Sequence, residues 1–130
     1  MDELSESGGR PRPGSGLELY SWLFMRLSGI LLLLLALGHL AIMHLLNNVE
    51  VINYAFVARR WASPLWRLYD WLLLTLALVH GSNGLRVIVD DYVRRPGLRV
   101  ASLAAVYGLA AVFLLAGTAV IVFFQPVAGK

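Results

Sequence analysis

Cysteine is absent from the 130 residues. That excludes a disulfide, a thiolate-held iron–sulfur cluster and a C-x-x-C-H haem attachment within this chain. Any haem would have to be held non-covalently, by His or Met. Charge is also scarce: 15% of the residues are charged, against about 25% in an ordinary soluble chain. A short apolar stretch followed by a cleavage site is missing as well. The opening MDELSESGGRPRPGSG is polar and rich in Gly and Pro, so residues 1–19 are expected to form a disordered polar tail and the first apolar run to be retained. Mitochondrial presequences avoid acids, whereas this segment carries Asp2, Glu3 and Glu6. The expected location is therefore a bacterial or archaeal cytoplasmic membrane, the bacterial inner membrane first.

Apolar residues, by contrast, make up 58% of the chain, and the mean hydropathy is +0.69. Three runs, 22–46, 65–89 and 100–124, are each long enough as a helix to cross a hydrocarbon core of roughly 30 Å. The expected fold is an all-α membrane protein with three transmembrane helices in a domain over residues 20–130. With three spans, the N-terminus and the loop after the second share one side, carrying Arg10, Arg12, Arg26, Arg94, Arg95 and Arg99. Arg59, Arg60, Arg67 and Lys130 fall on the other, so positive-inside logic puts the N-terminus in the cytoplasm. Lipid headgroups account for the net charge of +3, and no nucleic acid is expected. Between Asn47 and Ser63, Val49, Ile52 and Phe56 recur at helical spacing before Arg59, Arg60 and Trp61, which predicts a short interfacial helix. Arg67 and Asp70, three apart, read as a surface pair. Pro96 and Gly97 are expected to end the second helix, and the third to begin at Val100.

Ionisable groups inside a span cost at least about 2.5 kcal/mol and normally face protein, water or a cofactor. The second run nevertheless holds LVHGSNGLRVIVDDY. His80, Gly84, Val87 and Asp91 fall on one helical stripe, with Asp91 about 16 Å from His80 along the axis. Gly84 lacks the side chain that would keep a flat ligand away, and Arg86 offers a fork of donors to a carboxylate. In the first run Arg26 and Ser28 lie near the cytoplasmic edge, and His39 is expected about midway, level with His80; His44 lies one further turn on. The bland readings are a histidine bonded to a backbone carbonyl or hydroxyl, Ser28 bonding back to the carbonyl of Phe24, and Arg26 snorkelling to headgroups.

HGSNGLRVIVDDY resembles the second-span signature of the membrane-anchor (cytochrome b) subunits of succinate dehydrogenase and fumarate reductase, H-x-x-x-G-[IL]-R followed by an Asp and an aromatic residue. FMRLSG is similar to the R-x-S-G signature opening the first span of the same family, and the likeness extends from about Tyr20 to Val122. The chain departs from the pattern in having Val87 where the larger anchor often has a histidine, and it mixes the larger anchor's R-x-S-G with the smaller anchor's DDY. The short polar N-terminus and DDY favour the smaller of the two anchor types.

The resemblance implies a three-helix half of a multi-helix bundle, completed by a second anchor subunit and carrying a flavoprotein and an iron–sulfur protein. Succinate oxidation would occur on those partners, and this chain would contain no catalytic residue for it. His80 would be an axial ligand of a b-type haem, Arg86 a propionate partner, Gly84 part of the haem site and His39 a possible second haem ligand. Tyr92 would hydrogen-bond a carbonyl oxygen of menaquinone or ubiquinone near the cytoplasmic face, with Asp91, Arg26 and Ser28 around it. The residues alone leave three alternatives: a quinol:fumarate reductase anchor, a b-type cytochrome without a dehydrogenase, and a non-redox transporter subunit with a polar path through His80, Asn83, Arg86 and Asp91.

Overall fold

The computed structural model describes residues 16–125, and they form helices with no strand among them. Helix α1 spans Gly16–Leu40 and passes into a π turn at Ala41–Leu45. A 3-10 turn, Val49–Val51, leads to the short α2, Tyr54–Trp61. The long helices α3, Pro64–Tyr92, and α4, Pro96–Phe123, follow. Three segments are long and apolar enough to cross a membrane: Leu19–Leu45, Pro64–Tyr92 and Pro96–Phe123. The expected all-helical, three-span fold is therefore what the chain adopts.

The boundaries differ from expectation for identifiable reasons. Helix α1 starts at Gly16, so residues 16–19 of the expected tail are helical; residues 1–15 lie outside the described residues. Pro96 does not merely stop α3, which has already ended at Tyr92, but occupies the first turn of α4. There the missing N–H costs nothing and the fixed φ suits the helix. Pro64 plays the same part in α3. A short helix forms between the first two spans as expected, but it begins at Tyr54, so Phe56 lies in it while Val49 sits in the 3-10 turn and Ile52 outside both. The Asn53 side chain caps α2 by accepting from the Phe56 N–H at 3.1 Å.

Helix α3 is the middle of the layer, packing on α1, α2 and α4. Small residues permit the close approaches: Gly38 leaves room for the Tyr69 hydroxyl, which donates to the Leu35 carbonyl, and Gly117 lies against the Leu74 side chain. The Trp71 indole donates to Thr118 Oγ1 at 3.1 Å, tying α3 to α4. Among the described residues only Ala58 and Ile121 are buried apolar side chains, while Leu33, Leu34, Val112, Phe113 and Leu115 are exposed. Surfaces this apolar belong against lipid or other helices rather than water.

Candidate functional site

His80 is half-buried on α3, and Ser28, 4% exposed, faces it from α1. His80 Nδ1 and Ser28 Oγ are 3.1 Å apart, and Ser28 Oγ lies 3.3 Å from the Met25 carbonyl oxygen, one residue away from the Phe24 carbonyl expected from sequence. Gly29 provides the seat: a Cβ there would lie 3.1 Å from His80 Cε1. The R-x-S-G stretch thus places a hydroxyl and a bare backbone position directly under the imidazole. No hydrogen bond engages Nε2 among the described residues. One turn on, a Cβ at Gly84 would meet nothing within 4 Å, so that position is open to whatever lies outside the chain.

The Ser28–His80 contact fixes the register of the antiparallel helices, and with it the level of everything else. Arg26 and Arg86 line one open cavity of 580 Å³ together with Ser21, Trp22 and Asn83. The Arg26 guanidinium stacks over Trp22 at 4.2 Å, and Arg86 Nε donates to Asn83 Oδ1 at 3.1 Å. Asp91 and Tyr92 do not line that cavity; both are exposed, Tyr92 at 81%. Of the four residues expected around a quinone, Ser28 is therefore engaged with His80, Arg26 shares a cavity with Arg86, and Asp91 and Tyr92 stand apart at the end of α3. The acid that sequence reasoning missed is Asp90, whose Oδ1 takes Arg99 Nη2 at 2.7 Å and Nε at 2.8 Å across the α3–α4 turn. Its signal was only a nine-residue separation, with the short link between α3 and α4 inside it.

His39 is not level with His80. Because Ser28 faces His80, His39 falls opposite Asp70 near the α2 end, with Nδ1 3.6 Å from Asp70 Oδ1. Asp70 in turn is not paired with Arg67. It accepts from Arg60 Nη2 and from Trp61 Nε1, each at 2.7 Å, and Arg60 is buried rather than snorkelled. Arg67 is drawn away by carbonyls, donating to Trp61, to Ile121 at 3.4 Å and to Phe124 at 3.0 Å, where the ends of α2 and α4 leave acceptors unsatisfied. His39, Met43, Arg60, Trp61 and Asp70 line a cavity of 400 Å³. His44 is exposed.

Among the described residues no three His, Asp or Glu side chains converge as a metal-binding group. The available donors are single imidazoles spaced along a helix pair, with Arg26 and Arg86 at one end and Arg60 and Arg67 at the other. These features define a multi-pass helical membrane protein that offers isolated imidazoles to its surroundings. Residues 10–123 match the family described as the succinate dehydrogenase/fumarate reductase transmembrane subunit, and the chain belongs to that family. It is also 35% identical over 77 residues to the succinate dehydrogenase hydrophobic membrane anchor subunit of Archaeoglobus fulgidus. That alignment covers 59% of this chain and 65% of the relative, so the chain spans just under two thirds of the relative's length.

Proposed function

We propose that this chain is the smaller of two membrane anchors in a succinate:quinone oxidoreductase, holds a b-type haem through His80 and contributes to quinone reduction near the Tyr92 end of α3. The observation that carries the haem reading is His80 itself: Nδ1 is engaged by Ser28 while Nε2 has no hydrogen-bond partner among the described residues. Ligating histidines characteristically have their second ring nitrogen held in this way. The donor set fits, since His80 would hold a haem as a single imidazole and no cluster of ligands from this chain would be needed. Gly84 leaves bare backbone one turn away, and Arg86, with four N–H groups beyond the Asn83 contact, suits a propionate. A haem held there would supply one-electron transfer.

Quinone reduction takes two electrons and two protons. In this reading the electrons come from an iron–sulfur partner, reduced in turn by a flavoprotein, since a chain without cysteine cannot hold a thiolate cluster. The Tyr92 hydroxyl would donate to a quinone carbonyl oxygen, and Asp91 beside it in the chain would pass protons from the aqueous side to the same site. Their exposure in the isolated chain matches a site closed by other subunits, in which a second anchor covers the apolar surface. The cavity holding Arg26 and Arg86 then accepts the anionic or carbonyl end of a ligand. The bilayer is a bacterial or archaeal cytoplasmic membrane with the N-terminus on the cytoplasmic side.

The test is a reduced-minus-oxidised spectrum of the purified complex, compared with His80→Ala and His39→Ala. The expected result is loss of the b-type bands with His80→Ala. An unchanged spectrum in that variant would refute the ligand assignment, and loss of one component with His39→Ala would identify a second haem.

A further inference from the structure

We propose that Ser28 is a positioning residue for His80: it fixes the ring orientation and the tautomer that leaves Nε2 as the lone-pair nitrogen facing iron. This rests on the assignment of His80 as a haem ligand and changes the role of Ser28, which the family resemblance places among the quinone residues. Ser28 has one hydroxyl proton. Its Oγ lies 3.3 Å from the Met25 carbonyl, an acceptor that takes that proton, and 3.1 Å from His80 Nδ1. A hydroxyl that donates to the carbonyl has only lone pairs to offer the ring, so Nδ1 carries the N–H and donates to Oγ. A neutral imidazole protonated at Nδ1 is unprotonated at Nε2, which is the form that binds a metal.

Burial makes this arrangement decisive. Ser28 is 4% exposed, so water does not compete for the hydroxyl, and Gly29 beside it leaves room for the Cε1 edge of the ring against α1. The second buried serine of this helix pair, Ser82 on α3, is 8% exposed but makes no hydrogen bond to either histidine. It provides an internal control for the loss of a buried hydroxyl that does not touch the ligand.

The experiment measures haem content and reduction midpoint in the purified complex carrying Ser28→Ala, Ser28→Thr, Ser82→Ala or His80→Ala. Removing the partner of a ligating histidine typically weakens metal binding about 10- to 100-fold, so Ser28→Ala should lower haem occupancy under dilution. Donation from Nδ1–H enriches the ring in electron density and favours ferric iron, so its loss should also raise the midpoint. A tenfold weaker preference for the ferric state corresponds to about 59 mV for a one-electron couple. Ser28→Thr retains the hydroxyl and should return the midpoint to the wild-type value, while Ser82→Ala should leave it unmoved. An unchanged midpoint and occupancy in Ser28→Ala, in a complex that loses its haem with His80→Ala, would overturn the role of Ser28 and leave the ligand assignment standing. Equal haem loss in Ser28→Ala and Ser82→Ala with no change in midpoint would assign the effect to packing and overturn it too. Persistence of the bands in His80→Ala removes the ligand reading and this inference together.

Discussion

The pair formed by Arg60 and Asp70 should be the most costly polar contact to break. Arg60 has a side chain 6% exposed and Asp70 one 15% exposed, and the Nη2–Oδ1 distance is 2.7 Å. Asp70 also accepts from Trp61 Nε1 at 2.7 Å, so Asp70→Leu removes two short charge-assisted bonds at once. Hydrogen bonds to charged groups contribute about 1.5–3 kcal/mol each, and breaking a buried pair on one side costs about 3–5 kcal/mol because the remaining charge is uncompensated. The guanidinium would keep the faces of Trp66 at 4.4 Å and Tyr69 at 5.8 Å and a long contact with Met43 Sδ at 3.9 Å, none of which replaces a carboxylate. The expected destabilisation is therefore about 3–5 kcal/mol for Asp70→Leu. It should be far smaller when Arg60→Met is added, since the double variant buries no charge. The four tryptophans, Trp61 and Trp66 among them, supply a fluorescence signal for unfolding in mixed micelles. A cost below about 1 kcal/mol for Asp70→Leu, the range of exposed pairs, or no recovery in the double variant, would refute the view that this cluster is a desolvated clasp between α2 and α3.

Three further outcomes follow from the same geometry. Trp71→Phe removes the interhelical bond to Thr118 and should cost only about 0.6 kcal/mol, the average for such bonds within membranes, read from the same unfolding curves. Gly29→Leu puts a side chain where even a Cβ would lie 3.1 Å from His80 Cε1, and should reduce haem content with the helices still assembled; full occupancy would show that the ring does not sit on α1. Tyr92→Phe should lower quinone reduction about 10- to 100-fold, within the range for a lost proton donor, while sparing succinate oxidation by a soluble artificial acceptor; equal loss of both activities would indicate misassembly.

The three spans were legible because length and apolarity alone identify them, and each emerged as a helix long enough to cross. The special residues of α3 were legible one by one, since polar groups in a greasy run stand out. Their pairing was not. Ser28 and His80 are 52 positions apart, and local periodicity carries no information on the register of one antiparallel helix against another. Depth counted along each helix alone puts Ser28 at the rim and His39 beside His80, whereas the contact at Gly29 slides α1 until His39 faces Asp70. Arg67 and Asp70 escaped sequence reading for a related reason. Their spacing favours a local pair, but the free carbonyls at the ends of α2 and α4 compete for Arg67, and those of Ile121 and Phe124 come within its reach only once α3 and α4 have packed together.

The two half-buried imidazoles of this chain are held differently, and the difference ranks them as ligands. His80 Nδ1 has an oxygen at 3.1 Å, within hydrogen-bond range, so its ring is oriented before any metal arrives. His39 Nδ1 has an oxygen at 3.6 Å, beyond that range, and is buried without a partner. The cause is that both oxygens of Asp70 already accept from donors at 2.7 Å, and a carboxylate clamped by Arg60 and Trp61 cannot swing towards the histidine. Binding at His80 therefore asks for no rearrangement of its partner, whereas binding at His39 must either proceed with an unsupported ring or draw Asp70 partly out of its clasp. On the proposed haem reading the first iron bound would belong at His80, and Asp70→Asn, which relaxes the grip on Arg60, should alter whatever His39 binds while leaving the His80 spectrum as it was.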